Sequence, residues 1–585
     1  MAEPPSVWID DRRGRLTASR ARPGRLDLKL DASASGGGTR WDGSLRNAGS
    51  VPHPVGQAGR GFVVMPEVVL EHRWQSWSEV RRRRPQDVGP ERMTASPWIR
   101  RILSANPESA GHSVLGDQFL VHGQGLVGFL GGAGQLGTVT ADPLGRDGVT
   151  AWALRDQAAV DPGEEMILEP VWAAGGSPGT LYSAYASLGG GAGRARSATA
   201  GPGARWCSWY QYFTRVNPHA VRAIRELAAQ HGLGVLQIDD GYQQQVGEWL
   251  SVRDGWGPLG ELARDTGRAG LRPGMWMAPL TVAERGPTAE DHSDGLPRDC
   301  DGKPVRAHHD QQEGRGRALA LDTTNPAVLE HLRRVFAELV AKGFTYHKAD
   351  FGYAAAVPGR HYDPRATGAQ ALRRGPLAVR EGIGDASFQL ASGCPFAPAV
   401  GLVGAMRVST DPASECEPRS HQVVSGYRES TVSLANALGT SLLRAPWHRR
   451  LWINDPDWLL LRPTQTDLTP RQCQLATDAV GGLGACLMPS DDLSLYRDPE
   501  GASVHGIRAL QPQADSSLEI DGPFSDRPVV RSGATATWIH LASARERDEW
   551  CWTDLQRSTG EGTDSLVGGP GVDSPQADCG PRRRS

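Results

Sequence analysis

The spacing of hydrophobic and polar positions changes near residue 205. Before it, short alternating runs such as RLDLKLD (25–31) and GFVVMPEVVLEH (61–72) are broken by Gly, Pro and Ser clusters. That is the pattern of short strands joined by turns. Helical periodicity is scarce there, so residues 1–190 read as all-β. The Gly-rich stretch SLGGGAGRARSATAGPGA (187–204) reads as a linker, placed at 191–204. Arg81–Arg84, followed by Pro85, reads as a solvated loop.

From 205 the pattern becomes strand, loop, helix, repeated. In NPAVLEHLRRVFAELVAKG, Asn325 can cap, Pro326 stands in the first turn and Gly343 closes the end. Val328, Leu332, Val335, Phe336, Leu339 and Val340 share one face of that helix. NPHAVRAIRELAAQHG (217–232) repeats the design. Between helices lie eight short apolar runs: WCSWY, VLQIDD, GMWMAP, YHKADF, SFQLASGC, AMRVSTD, RLWIND and ACLMPSD. This predicts a central (β/α)8 TIM barrel over 205–499, whose active site would lie at the C-terminal strand ends. Those ends carry Asp239, Asp240, Asp350, Asp411, Asp455 and Asp491. Residues 500–555 return to a strand-like pattern, and 556–585, poor in apolar residues, read as a disordered tail.

Composition narrows the function. The charge is balanced, 63 Lys+Arg against 66 Asp+Glu, so a nucleic-acid partner is not expected. No apolar stretch is long enough to span a membrane. The start, MAEPPSVWIDD, lacks the basic end and apolar run of a signal peptide, so a cytoplasmic protein is expected. The eight cysteines show neither C-x-x-C nor zinc spacing, and no metal or organic cofactor is expected. Trp is abundant, 18 against 10 Tyr and 10 Phe, which suits flat walls against sugar rings as well as core packing.

Two short motifs fail on context. Gly123-Gln-Gly-Leu-Val-Gly128 matches GxGxxG but is followed by FLGGAGQLG, which is not a helix. Gly175-Gly-Ser-Pro-Gly179 matches GxSxG, yet Pro178 lacks the N–H that an oxyanion hole needs. The carboxylates carry more. Lys348 lies two residues before Asp350, on the same strand face, and would keep it ionised; a plain strand-end salt bridge reads equally from spacing. Arg407 stands four residues before Asp411, which serves as a proton donor or as a cap before Pro412. Asp239 and Asp240, followed by Gly241, suit two neighbouring hydroxyls or a metal. Trp276, Trp209 and Tyr210 end other strands and suit ring stacking or the core.

The segments GARWCSWYQYF, VLQIDDGYQQQVGEWL, PGMWMAP, YHKADFGYAAAVPG, GCPFAPAVGLVGAMRVSTD and LWINDPDWLLLR resemble, in order, motifs of glycoside hydrolase family 36 α-galactosidases. VVLEHRWQSWSEV resembles that family's N-terminal WQSWS motif. The resemblance implies an N-terminal β-supersandwich (1–190), the barrel and a short C-terminal β-domain. It implies a retaining exo-enzyme that releases terminal α-galactose from oligosaccharides such as melibiose or raffinose. Asp350 would be the nucleophile and Asp411 the acid/base. Asp239 and Asp240 would hold the 4- and 6-hydroxyls, Lys348 the 3- and 4-hydroxyls, and Arg407 would lie near the 2-hydroxyl. Cys394 would line the pocket, Trp209, Tyr210 and Trp276 would form walls, and Trp77 would reach in from the N-terminal domain.

Three segments depart from the family pattern. Gly247-Glu248-Trp249 stands for Gly-Asp-Trp, Gly393-Cys394-Pro395 for Gly-Cys-Gly, and Arg407-Val-Ser-Thr-Asp411 carries an altered loop. Glu248 is expected to touch the grip on sugar or aglycone, and Pro395 the side facing the 2-substituent. The open alternatives are an α-N-acetylgalactosaminidase, a galactosyl transferase of the raffinose-synthase type, and a non-catalytic galactoside-binding protein. Homo-oligomerisation is left open.

Overall fold

The computed structural model describes residues 26–85, 114–196, 203–309, 316–418, 432–496 and 517–559, apart from short breaks, together with 7–11 and 14–17. The N-terminal part is built from two antiparallel sheets. One runs in the order Leu26–Ser35, Gly38–Asn47, Glu165–Gly175, Gly125–Phe129, Phe119–His122, Val69–His72, Val80–Arg83. The other runs Gly14–Thr17, Val7–Asp11, Gln57–Phe62, Val149–Leu154, Gly137–Ala141, Val114–Asp117. Val69, Leu120, Val127 and Phe129 of the first meet Val139, Val149 and Ala151 of the second. The strand Phe119–His122 is buried on both faces: Leu120 points into the sandwich, while Phe119 and Val121 join the larger core shared with the barrel.

Two sequence expectations change here, and the rejected GxGxxG match finds its explanation. Arg81–Arg83 lie in a strand paired with Val69–His72, and Arg83 meets Glu71 at 3.3 Å. Gly123–Gly128 turns between two paired strands, a hairpin rather than a phosphate loop. The Gly-rich run is not a linker at its start, because Pro178–Ala192 is a helix, α1, inside the segment read as all-β. Its glycines allow backbone to approach backbone. A Cβ at Gly179 would stand 1.9 Å from Ile520 O, and one at Gly190 2.1 Å from Arg450 O.

Seven parallel strands form the central sheet: β1 Arg205–Cys207, β2 Val235–Ile238, β3 Arg272–Met277, β4 Tyr346–Ala349, β5 Phe388–Ala391, β6 Ala405–Arg407 and β7 Ile453–Asp455. Among the described residues the eighth apolar run forms no regular ladder, yet it closes the ring. Cys486 N donates to Asn454 O at 3.0 Å, Arg205 N to Leu487 O at 3.0 Å and Cys207 N to Pro489 O at 3.3 Å. The helices are α2 Pro218–Gln230, α3 Leu259–Arg268, α4 Pro326–Ala341, α5 Gly368–Ile383, α6 Leu434–Leu443 and α7 Pro470–Gly482. Asn217 and Asn325 cap α2 and α4 as their sequences predict, and α4 buries Val328, Leu332, Val335, Phe336 and Leu339. Between β3 and β4 the chain adds a three-stranded antiparallel sheet, and between β5 and β6 only the one-turn helix Phe396–Ala399.

The C-terminal sheet has four antiparallel strands, Leu518–Asp521, Val529–Ser532, Thr535–Ala544 and Glu549–Thr559. The last runs into the segment expected to be disordered, whose remainder lies outside the described residues. Among the described residues no helix is long and apolar enough to cross a membrane.

Candidate active site

The C-terminal ends of the barrel strands assemble two charged networks. The first joins β2, β3 and β4. Asp350 follows β4, and its Oδ2 accepts the indole N–H of Trp276, on β3, at 3.0 Å. Its Oδ1 accepts the N–H of Phe351 at 3.0 Å. Lys348 Nζ lies 3.8 Å from Asp350 Oδ2 and 3.0 Å from Asp239 Oδ2. The alternation of a strand puts Lys348 and Asp350 on one face. Burial works against the Lys348 ammonium, but Asp239 and then Asp350 outweigh it and hold its pKa above the usual lysine range. Asp239 Oδ2 also accepts from Gln237 Nε2 at 2.7 Å and Cys207 Sγ at 3.3 Å. Gln243 Nε2 donates to Asp240 Oδ1 at 2.6 Å. The Asp pair thus sits on the first network at the turn after β2, with Gly241 at φ 121.

The second network joins β6, β7 and the turn after β1. Arg407 Nη1 donates to Asp411 Oδ1 at 2.8 Å, and its Nη2 pairs with Asp457. The Tyr210 hydroxyl donates to the other oxygen of Asp457. Arg407 is fully buried, whereas 36% of the Asp411 side chain is exposed, so Asp411 is the member that solvent or a ligand reaches. Burial opposes the guanidinium charge, and Asp457, Tyr210 and Asp411 reverse that and raise its pKa. The networks adjoin: Arg407 acts on the charge of Lys348.

The N-terminal sandwich reaches the residue next to Asp350. Trp77 meets Phe351 edge-to-face at 4.9 Å between centroids and Tyr353 at 6.0 Å. Its segment is tied to the barrel by a reciprocal pair, Ser76 N to Cys394 O at 3.2 Å and Cys394 N to Ser76 Oγ at 3.3 Å. Burial, then the charge of Asp350, pushes the Cys394 thiol up to about 12, so it stays un-ionised. Phe351, next to Asp350, has a left-handed backbone with φ 54, unusual for a bulky residue. The ring of His308 stacked on it at 4.0 Å and the edge contact from Trp77 hold it there.

The structure therefore brings together Asp350, Lys348, Asp239, Asp240 and Trp276, and separately Asp411, Arg407 and Tyr210, with Cys394 and Trp77 beside Phe351. Trp209 and Tyr210 do not end a strand; they lie in the helical turn Trp209–Tyr212, and Trp209 packs on Phe213 at 5.2 Å. Two strand-end acids are structural. Asp455 pairs with Arg205 at 3.2 Å, both wholly buried. Asp491 accepts the N–H groups of Leu461 at 2.6 Å and Arg462 at 3.0 Å and the hydroxyl of Tyr496 at 2.7 Å. Glu248 lies in the loop after β2. Its Oε1 accepts from Thr288 N at 3.0 Å and Thr288 Oγ1 at 2.6 Å, so it ties the loop after β2 to a short helix. The neighbouring Trp249 instead packs on Trp276 at 5.7 Å. Asp457, Gln237 and Gln243 belong to the networks and were not singled out; the Asp-Pro-Asp after β7 was the available signal for the first. Among the described residues no group of three or more His, Cys, Asp or Glu is placed to hold a metal.

The chain has the fold of family 36 α-galactosidase structures. TtGalA, an α-galactosidase from Thermus thermophilus in complex with stachyose, matches with TM-score 0.67 at 24% identity over 83% of this chain and 96% of that one. The same enzyme with p-nitrophenyl α-D-galactopyranoside matches with TM-score 0.68 at 23% identity, over 86% and 95%. The GH36 α-galactosidase AgaA from Geobacillus stearothermophilus matches with TM-score 0.57 at 14% identity, over 88% and 73%. No family model matches the chain.

Proposed function

We propose that this chain is a family 36 α-galactosidase that hydrolyses terminal α-linked galactose by double displacement. The observation that carries the reading is the placement of Asp350 and Asp411 on two adjoining networks, each with its own cation. Asp350, given two hydrogen-bond donors and a nearby ammonium, suits an ionised nucleophile. Asp411, the more exposed carboxyl, suits proton transfer with the leaving oxygen and with water. In the first step Asp350 bonds to the anomeric carbon as Asp411 gives its proton to the glycosidic oxygen. In the second, water gives a proton to Asp411 and its oxygen displaces Asp350, so the α-configuration is restored. Asp239, Asp240 and Lys348 would grip the axial 4-hydroxyl and its neighbours, Arg407 the 2-hydroxyl side. Trp276, Trp209, Tyr210, Cys394 and Trp77 would form the walls. The expected substrate is a galactoside oligosaccharide, in the cytoplasm.

The test is nitrophenol release from aryl α-galactoside, α-N-acetylgalactosaminide, α-glucoside and β-galactoside by wild type and Asp350→Ala. Turnover of the α-galactoside alone, reduced on the order of 10⁴-fold or more in the variant, is the expected result. Preference for the acetamido sugar would reassign the donor. β-Galactose as the first product by NMR would rule out retention.

A further inference from the structure

The Trp77 segment of the sandwich and the Arg407–Asp411 segment of the barrel come from different parts of the chain. One side chain touches both. Arg444, the residue that ends α6, is fully buried, and its Nη1 donates to Ser76 O at 3.2 Å and to Val408 O at 3.0 Å. One acceptor immediately precedes Trp77 and the other immediately follows Arg407. A guanidinium –NH₂ has two hydrogens, so it can serve both carbonyls at once.

We propose that Arg444 is a positioning residue that fixes the spacing between the Trp77 wall and the Arg407–Asp411 side of the pocket. Its own placement is overdetermined. Asn454 Nδ2, from β7, holds the Arg444 carbonyl at 2.9 Å. The guanidinium lies over the ring of Phe396 at 4.6 Å and faces Trp447 at 5.3 Å. Burial lowers its pKa to about 9, with Tyr182 and Glu79 opposing that. A buried cation of this kind is costly. Its geometric return is a fixed link between two segments that share no ladder. Displacement of Ser76 passes to Cys394 through their reciprocal hydrogen bonds, and Cys394 follows Gly393, whose carbonyl accepts the Tyr353 N–H at 2.7 Å. Displacement of Val408 passes to Arg407 directly.

The consequence for rate rests on the galactosidase reading, whereas the structural coupling does not. The experiment therefore has two readouts on the full chain, for wild type, Arg444→Met and Arg444→Lys. By hydrogen exchange, Arg444→Met speeds exchange about tenfold or more in both 74–78 and 405–411, with β2 and β3 unchanged, and Arg444→Lys does so less. With aryl α-galactoside, Arg444→Met lowers kcat about tenfold or more and raises KM, and Arg444→Lys recovers part of both. In a Trp77→Ala background the effect on KM disappears while the effect on kcat remains. Loosening of one segment only, uniform loosening of the barrel, or unchanged exchange would overturn the proposal. If Arg444→Met does not fold, paired loosening in Arg444→Lys decides. Absence of turnover in wild type sinks the functional reading and leaves the exchange result standing on its own.

Discussion

Trp276 donates its indole N–H to Asp350 Oδ2 at 3.0 Å, although the two residues, one on β3 and one just after β4, are 74 positions apart. The contact makes Trp276 more than a flat wall. A charge-assisted hydrogen bond of this kind stabilises a carboxylate by about 1.5–3 kcal/mol, and it also fixes the plane in which Asp350 presents its oxygens. Trp276→Phe keeps a ring and removes the donor. The expected result is a fall in kcat of roughly 10–100-fold with a smaller change in KM, read from nitrophenyl α-galactoside kinetics. An unchanged kcat would return Trp276 to the role of packing residue.

Asp457 is expected to matter as the second partner of Arg407. In Asp457→Asn the guanidinium loses one counter-charge and remains beside Asp411. Arg407 then has one firm carboxylate anchor in place of two, so its hold on Asp411 loosens. kcat/KM for aryl α-galactoside should fall about tenfold or more. Steady-state kinetics of wild type and variant check this. An unchanged kcat/KM would make Asp457 a packing partner only.

Much of this site was legible in the chain, for reasons that can be traced. Strand-end acids found the right face because a parallel barrel puts that end of every strand on one side. The same signal over-reached at Asp455 and Asp491. Sequence marks where an Asp sits along a strand, while Arg205 and the N–H groups of Leu461 and Arg462, which turn those two into internal ties, come from distant positions. Asp457 escaped for the converse reason, since its meaning comes from Arg407 and Tyr210 on other elements. The Gly-rich run misled because glycine marks both flexible chain and close backbone approach, and α1 uses the second.

Lys348 and Asp239 form a buried ion pair at 3.0 Å, with both side chains under 5% exposed. Removing one partner leaves the other charge stranded, so Lys348→Met should destabilise the protein by about 3–5 kcal/mol. The double variant Lys348→Met/Asp239→Asn should regain part of that stability and none of the activity. Urea unfolding and aryl galactoside turnover on the three proteins test the two halves. Additive losses in stability would show that the pair is not coupled.

Glu248 offers a test of where the family departure acts. Its carboxylate is occupied by Thr288, outside both charged networks. Glu248→Gln keeps an acceptor for Thr288 and should leave the ratio of α-galactoside to α-N-acetylgalactosaminide turnover unchanged, while lowering stability by roughly 1 kcal/mol. A shifted ratio would place Glu248 in the donor site after all.

Asp491 gives the stability curve a definite sign. Burial raises its pKa from the usual carboxylate value to about 6, against the pull of Tyr496, Leu461 and Arg462. The folded state therefore binds the proton more tightly than the unfolded state does. The associated stability is present below about pH 4 and is lost as pH rises through about 6, a change of roughly 3 kcal/mol. Buried His347 and His448 act in the opposite sense, because burial lowers each to about 3 and folding disfavours their protonation below about 6.5. Wild type thus mixes two opposing slopes in the acid range. Asp491→Asn keeps an oxygen for the three donors and removes one slope. Unfolding free energy by urea at pH 4, 5, 6 and 7 should then fall more steeply on acidification in the variant than in wild type. At pH 7 the variant should be equal to wild type or more stable. Parallel curves would mean that Asp491 does not titrate between folded and unfolded states.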